Sequence, residues 1–246
     1  MSLFGVLKAG CIAVNVNPLY TARELHNQLA DSGAKVVIIA ETFGKTLEEA
    51  ISGTAVETVI STGIADLFPF FKRTLVNFAV KYVKKMITPF SVPHLVRFRD
   101  ALSQGHSSGF RPVPLKNTDV ALLQYTGGTT GVAKGAMLTH RNVLANVEQT
   151  GTWISQTFVI GKETALTVLP LYHIFSFTAT LCFLKRAARQ VLIADPRDIN
   201  HVIDEFEKWK PSAFPAVNSL FNALTNSERF SKLHFSGLKK SEAKRS

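Results

Sequence analysis

Apolar and polar positions along the chain recur in two periods, near 3.6 and near 2. Residues 3–9 read as an amphipathic helix with Gly10 as its C-cap. Residues 12–16 read as a short apolar strand, broken by Asn17-Pro18. Thr21 and Glu24 have the spacing of a capping box, so a helix opens there; Leu25 and Leu29 mark its buried face, and Gly33 ends it. The Val/Ile-rich run 35–40 predicts a buried parallel strand. A helix over 47–51 and a strand over 56–60 follow. Residues 103–118 mix Ser, Gly and Pro without a period and read as a loop. Beyond it come a strand over 120–125, a helix over 143–153 opened by His140-Arg141-Asn142, and a strand over 164–169 stopped by Pro170. A strand over 191–193, a helix over 199–209, a strand over 213–217 and a short helix over 219–224 complete the series. Strands that alternate with helices predict an α/β fold of largely parallel sheets flanked by helices.

Residues 67–90 break this rhythm. On a helical wheel Phe71, Leu75, Phe78, Tyr82 and Met86 share one face, and Lys81, Lys84 and Lys85 fall on the other. Such a basic amphipathic helix either packs its apolar face on its own domain or lies on an anionic membrane. Charge sharpens the picture. The formal net charge is +10, and two stretches hold most of it. One is 67–90, with Lys72 and Arg73 added to the three lysines and no acid; the other is the tail 237–246, expected to be disordered. The remainder is nearly neutral and lacks the basic stripe of a nucleic-acid binder, so no nucleic-acid partner is expected. Cys11 and Cys182 are too far apart in sequence to form a metal-ligand or disulfide framework. The start of the chain lacks a signal-peptide pattern, and no apolar run reaches the ~18 residues of a membrane span. A cytoplasmic location is expected, with peripheral contact at the inner face of the membrane as an option.

The densest chemistry lies in residues 125–135. Gly127, Gly128 and Gly131 open backbone conformations closed to other residues and bring N–H groups close to an anion. Thr126, Thr129 and Thr130 add hydroxyls, and Thr129 or Thr130 could also ligate Mg2+. Lys134 adds a cation. The stretch is a cradle for a polyphosphate. It is not a Walker A loop, because Ala133 precedes Lys134 and Gly135 follows it. A dinucleotide loop also fits poorly, because threonines crowd where spaced glycines are needed.

Tyr125 to Gly135 resembles the AMP-binding signature of the adenylate-forming superfamily. Leu7-Lys8-Ala9-Gly10 with Asn15-Val16-Asn17-Pro18-Leu19-Tyr20, Leu138-Thr139-His140-Arg141-Asn142, and Pro170-Leu171-Tyr172-His173-Ile174-Phe175 resemble three further segments of it. Within the superfamily the likeness is greatest to bacterial long-chain fatty-acid–CoA ligases. The resemblance covers residues 3–236 and implies that 1–236 form a partial AMP-binding N-terminal domain. It also implies a two-step reaction. A fatty-acid carboxylate attacks MgATP to give acyl-AMP and pyrophosphate, and the CoA thiol then displaces AMP. The resemblance assigns Tyr125, Thr126, Gly127, Gly128, Thr129, Thr130, Gly131, Lys134 and Gly135 to the ATP phosphates. It assigns Tyr172, His173 and Phe175 to the acyl pocket, with Phe177 beside them. ATP, Mg2+, CoA and fatty acid are the implied ligands, and a homodimer is an option for the intact enzyme. A helix following the loop would add its N-terminal dipole.

The family's adenine-binding, ribose-binding and magnesium-linked glutamate segments, and its small C-terminal domain, have no counterpart in this sequence. No catalytic residue is therefore assigned here, and this chain alone is expected not to complete the reaction. A non-catalytic nucleotide-binding or membrane-associated remnant, or a ligase for another carboxylic acid, are the competing readings. One local departure concerns residues 184–190, where alanines and added cations replace expected glycines. Ala there would have to take a positive φ that it does not adopt cheaply.

Overall fold

The computed structural model describes residues 1–126 and 133–239. It divides into two compact units, residues 1–137 and 138–246.

The first unit opens with α1 (Ser2–Lys8) and β1 (Ala13–Val14). Next come α2 (Ala22–Ser32), β2 (Val36–Ala40), α3 (Gly44–Ala50) and β3 (Thr58–Thr62). Then follow α4 (Phe70–Phe78), β4 (Leu95–Arg97), α5 (Phe98–Ser108), β5 (Val120–Thr126) and β6 (Lys134–Thr139). One sheet has the order β1-β5-β6, the other β2-β3-β4. β2, β3 and β4 are parallel, with Val36 opposite Thr58 and Val59 opposite Leu95. The local signals set α2. Thr21 Oγ1 accepts from the Glu24 amide, Glu24 Oε2 accepts from the Thr21 amide at 2.8 Å, and Gly33 closes the helix at φ 62°. Leu25 and Leu29 of α2 then meet Leu47 and Ala50 of α3 and Val59 of β3 in one core. Leu47 is fully buried, and such a side chain contributes about 1.5–3 kcal/mol.

The second unit contains α6 (His140–Ile154), β7 (Thr164–Thr167), α7 (Ile174–Lys185) and β8 (Arg189–Leu192). It ends with α8 (Ile199–Trp209), α9 (Asn218–Thr225) and α10 (Glu228–Ser231). β7 and β8 are parallel, with Leu166 opposite Val191. One core joins Val147 and Ile154 of α6 to Cys182 and Phe183 of α7. A second core gathers Val202, Ile203 and Phe206 of α8 with Leu220 and Leu224 of α9. Phe206 meets the rings of Phe214 and Phe230 edge-on at 4.7 and 5.5 Å between centroids.

Several expectations are corrected. The run 35–40 is parallel but not fully buried. β2 is an edge strand, Val37 and Ile39 pack on the core, and Val36 and Ile38 are 52% and 37% exposed. A continuous Val/Ile run reads alike on both faces, so the sequence hides this alternation. The helix expected over 67–90 is present but shorter: α4 (Phe70–Phe78) continues without a break into a π-helical turn over Ala79–Val83, and the chain leaves it at Lys85, which takes φ 49°. Its apolar face is not packed on the unit: Phe71 is 85% and Leu75 70% exposed. The loop expected over 103–118 begins as helix, because α5 runs to Ser108 before Gly109 at φ 70°. Phe98 is its one buried residue, too little to show a period. Residues 213–217 form no strand. Only Ala213 bridges to Ala165, and Pro215 removes the next donor. Residues 237–239, at the start of the expected tail, are held in place. The Lys239 amide donates to Ser212 O at 3.0 Å, and its ammonium pairs with Glu163 at 2.6 Å.

Candidate functional site

β5 delivers the glycine-rich stretch. Ala121, Leu122 and Tyr125 are buried along it, and Thr126 is exposed at its end. The Tyr125 hydroxyl donates to the Asp31 carboxylate of α2. Burial first, and then the Asp31 carboxylate, push the Tyr125 pKa up to about 12, so the phenol stays protonated. Its ring lies against Gly135 of β6, where an added Cβ would stand 2.9 Å from Cζ. Only glycine lets the two strands approach this closely over a large ring. Lys134, which opens β6, is exposed and has no ion-pair partner among the described residues.

Of the residues assigned to the phosphates, the structure thus places four. Thr126 and Lys134 are exposed where β5 ends and β6 begins. Tyr125 and Gly135 brace the two strands against each other, with the Tyr125 hydroxyl committed to Asp31. Gly127, Gly128, Thr129, Thr130 and Gly131 lie outside the described residues. The helix dipole expected to follow the loop is not there. β6 intervenes, six residues or roughly 20 Å of strand, and α6 opens only at His140. The α6 amides are met by their own capping box, with Thr139 Oγ1 accepting from Asn142 N at 3.2 Å.

The acyl-pocket residues sit at the start of α7. His173 is the N-cap, and its Nδ1 accepts from the Phe175 amide at 3.3 Å, a bond that requires Nδ1 unprotonated. Phe175 lines an open groove of about 550 Å³ between α6 and α7, together with Val143, Asn146, Thr150 and Ile174. Tyr172 and His173 are not among its walls. Phe177, one turn of sequence away, is buried at 2% exposure. Lys185 of α7 pairs with Glu148 of α6 and ties the two helices that form the groove. Among the described residues no cluster of three His, Cys, Asp or Glu side chains could hold a metal ion. The residue that sequence reasoning missed is Asp31. It stands 94 positions before Tyr125, and nothing local marks it.

An α/β scaffold of this architecture is the fold of adenylate-forming enzymes. The crystal structure of an anthranilate CoA ligase in complex with anthranoyl-AMP superposes with a TM-score of 0.75 at 20% identity, over 96% of this chain and 41% of that one. The chain belongs to the AMP-binding enzyme family, whose pattern matches residues 1–243. It is 49% identical over 243 residues to a long-chain-fatty-acid--CoA ligase of Haemophilus influenzae, and 48% identical over 239 residues to one of Escherichia coli O157:H7. In both cases the match covers 97% of this chain and 43% of the relative's length.

Proposed function

We propose that the chain is part of a long-chain fatty-acid–CoA ligase and that its share of the reaction is to hold the phosphates of ATP. One observation carries this reading. Thr126 and Lys134 stand exposed at the two ends of a glycine- and threonine-rich stretch, on strands that Tyr125, Asp31 and Gly135 lock together. Preorganised donors at that place suit a leaving pyrophosphate. The names of the relatives supply the substrate class: a fatty-acid carboxylate attacks the α-phosphorus, pyrophosphate leaves, and the CoA thiol displaces AMP from the acyl-adenylate. The Lys134 ammonium and the Thr126 hydroxyl donate to the oxygens on which negative charge gathers. Magnesium reaches the site with ATP, and Thr129 or Thr130 would ligate it. The groove at Phe175 takes part of the acyl chain. Calorimetry with MgATP tests the assignment. Lys134→Ala weakens binding about tenfold, or roughly 1.4 kcal/mol. Equal affinity for the two proteins refutes it.

A second reading concerns partners. Phe71, Leu75, Phe78 and Tyr82 are all more than half exposed, beside five cations and no acid in residues 67–90. No described helix is long and apolar enough to cross a membrane. This segment suits peripheral contact with an anionic bilayer from the cytoplasmic side. Binding to phosphatidylserine vesicles at low salt that Leu75→Ser abolishes supports it; salt-insensitive or absent binding refutes it.

A further inference from the structure

The first unit contains a second place built for an anion, on its other sheet. β2, β3 and β4 are parallel, so their carboxyl ends open on the same edge of the sheet. A cleft of about 360 Å³ lies there. Glu41 follows the end of β2, Ser61 lies in β3, and Arg97 is the last residue of β4. Arg73 and Asn77 reach the cleft from α4, and Arg99 and Asp100 from the first turn of α5.

Three guanidiniums and three carboxylates share this cleft, yet none of the arginines forms an ion pair among the described residues. Two of the three carboxylates, Asp66 and Asp100, have other roles. Asp66 accepts from the Gly63 amide at 2.8 Å, from Thr62 Oγ1 at 3.2 Å and from Asn77 Nδ2 at 3.1 Å, which closes the turn after β3. Asp100 sits in the first turn of α5, where a negative charge complements the helix dipole. Arg99 is partly engaged, donating to the Asp66 carbonyl at 3.3 Å. Arg73 is stacked over Phe70 at 5.3 Å, and Arg97 makes no side-chain cap for α5. The telling group is Ser61. It is 3% exposed and lines the cleft. Its side chain faces the cleft, where a hydroxyl can donate to a ligand oxygen.

We propose that this cleft binds a phosphate group, with Arg73 and Arg97 on its oxygens and the Ser61 hydroxyl donating from the floor. Guanidinium forks match phosphate oxygens in pairs, and the carboxylates at the rim limit how much further negative charge the ligand carries. The group comes either from a soluble phosphate ester or from a lipid headgroup, since α4 carries both Arg73 and the exposed apolar side chains.

The test uses inorganic phosphate as probe, followed by 31P NMR line broadening, in a Lys134→Ala background so that the glycine-rich stretch contributes about tenfold less. Saturable binding that Arg97→Gln weakens about tenfold, that Ser61→Ala weakens less, and that Arg97→Lys partly restores is the expected result. Binding that the Arg97 and Arg73→Gln variants leave unchanged overturns the site, and so does the absence of saturable binding to both phosphate and vesicles. In the vesicle arm, phosphatidic acid in a phosphatidylcholine carrier replaces free phosphate. Capture lost with Arg97→Gln assigns the headgroup as the source. Capture indifferent to Arg97→Gln but lost with Leu75→Ser shows that the apolar face alone binds, and overturns the cleft as a lipid site.

Discussion

Gly135→Ala is the sharpest probe of how the candidate phosphate site is held. The new Cβ would stand 2.9 Å from Tyr125 Cζ, 3.0 Å from Cε2 and 3.2 Å from the hydroxyl oxygen. Carbon atoms prefer about 3.5–4.0 Å, so either the ring or β6 must move. The ring is 8% exposed and its hydroxyl is bonded to Asp31. Swinging it away sacrifices a hydrogen bond to a charged group, about 1.5–3 kcal/mol, while shifting the strand is overpacking at about 1–3 kcal/mol. Alanine restricts the unfolded chain and returns about 0.4–1 kcal/mol. The net expectation is a loss of roughly 1–2 kcal/mol, which lowers the urea midpoint by about 0.5–1 M. The contact itself is isolated by repeating the substitution in a Tyr125→Leu background, where Gly135→Ala becomes neutral or mildly stabilising. Urea titration of the four proteins gives the coupling. Effects that add to within about 0.5 kcal/mol refute the idea that Tyr125 and Gly135 brace each other.

Three further outcomes follow from named groups. Ala187 takes φ 53° in the turn between α7 and β8, a conformation that costs an L-residue about 1–2 kcal/mol; Ala187→Gly therefore stabilises by about 0.5–1 kcal/mol net of its own chain entropy and raises the urea midpoint, and a lower midpoint counts against it. Burial works to raise the Glu163 pKa, but the Lys239 ammonium, the Ser212 hydroxyl and the Val159 amide outweigh it and hold the carboxyl below its ordinary 4.5. Its stabilising contribution is thus present above pH 4.5 and lost as pH falls through the lower folded value, and Lys239→Met, which strands a carboxylate whose side chain is 1% exposed, costs about 2–4 kcal/mol and moves acid unfolding to higher pH. Tyr125 shows the opposite sign. Its pKa is raised from 10.0 to about 12, so its contribution is complete below pH 10 and is lost toward pH 12, and the stability gap between the parent and Tyr125→Phe should narrow across that window in alkaline urea titrations.

The elements that could be read in advance are those whose signals are local and redundant. Thr21, Glu24 and Gly33 each mark α2 independently, and all three behave as their chemistry predicts. The strain at Ala187 is legible in the same way: in the turn over 184–190, where glycines are expected, this alanine takes φ 53°. The elements that were missed lack a burial period. β4 is three residues long with its ends exposed, and α5 rests on Phe98 alone. β6 was hidden by Gly135, which reads as loop punctuation but serves to admit the Tyr125 ring. Over 67–90 the helical period is real and gives a helix over 70–83; what the period does not show is the change from α to π geometry after Phe78, where Val80 is the one buried residue of the turn.

The same distinction between local and distant signals divides the candidate site. Side chains that would meet a phosphate lie within ten positions of one another, and their types alone declare the chemistry. The groups that hold those side chains in place are scattered. Asp31 reaches Tyr125 across 94 positions, and it does so from a helix whose own legible features, its cap and its glycine stop, say nothing about that bond. A carboxylate placed beside a phosphate site would seem self-defeating, since it adds negative charge where an anion must bind. Its bond to a buried phenol resolves this. The tyrosine hydroxyl and ring stand between Asp31 and Gly135, so the charge serves to fix a strand, while Lys134 on the next strand is exposed and has no ion-pair partner among the described residues.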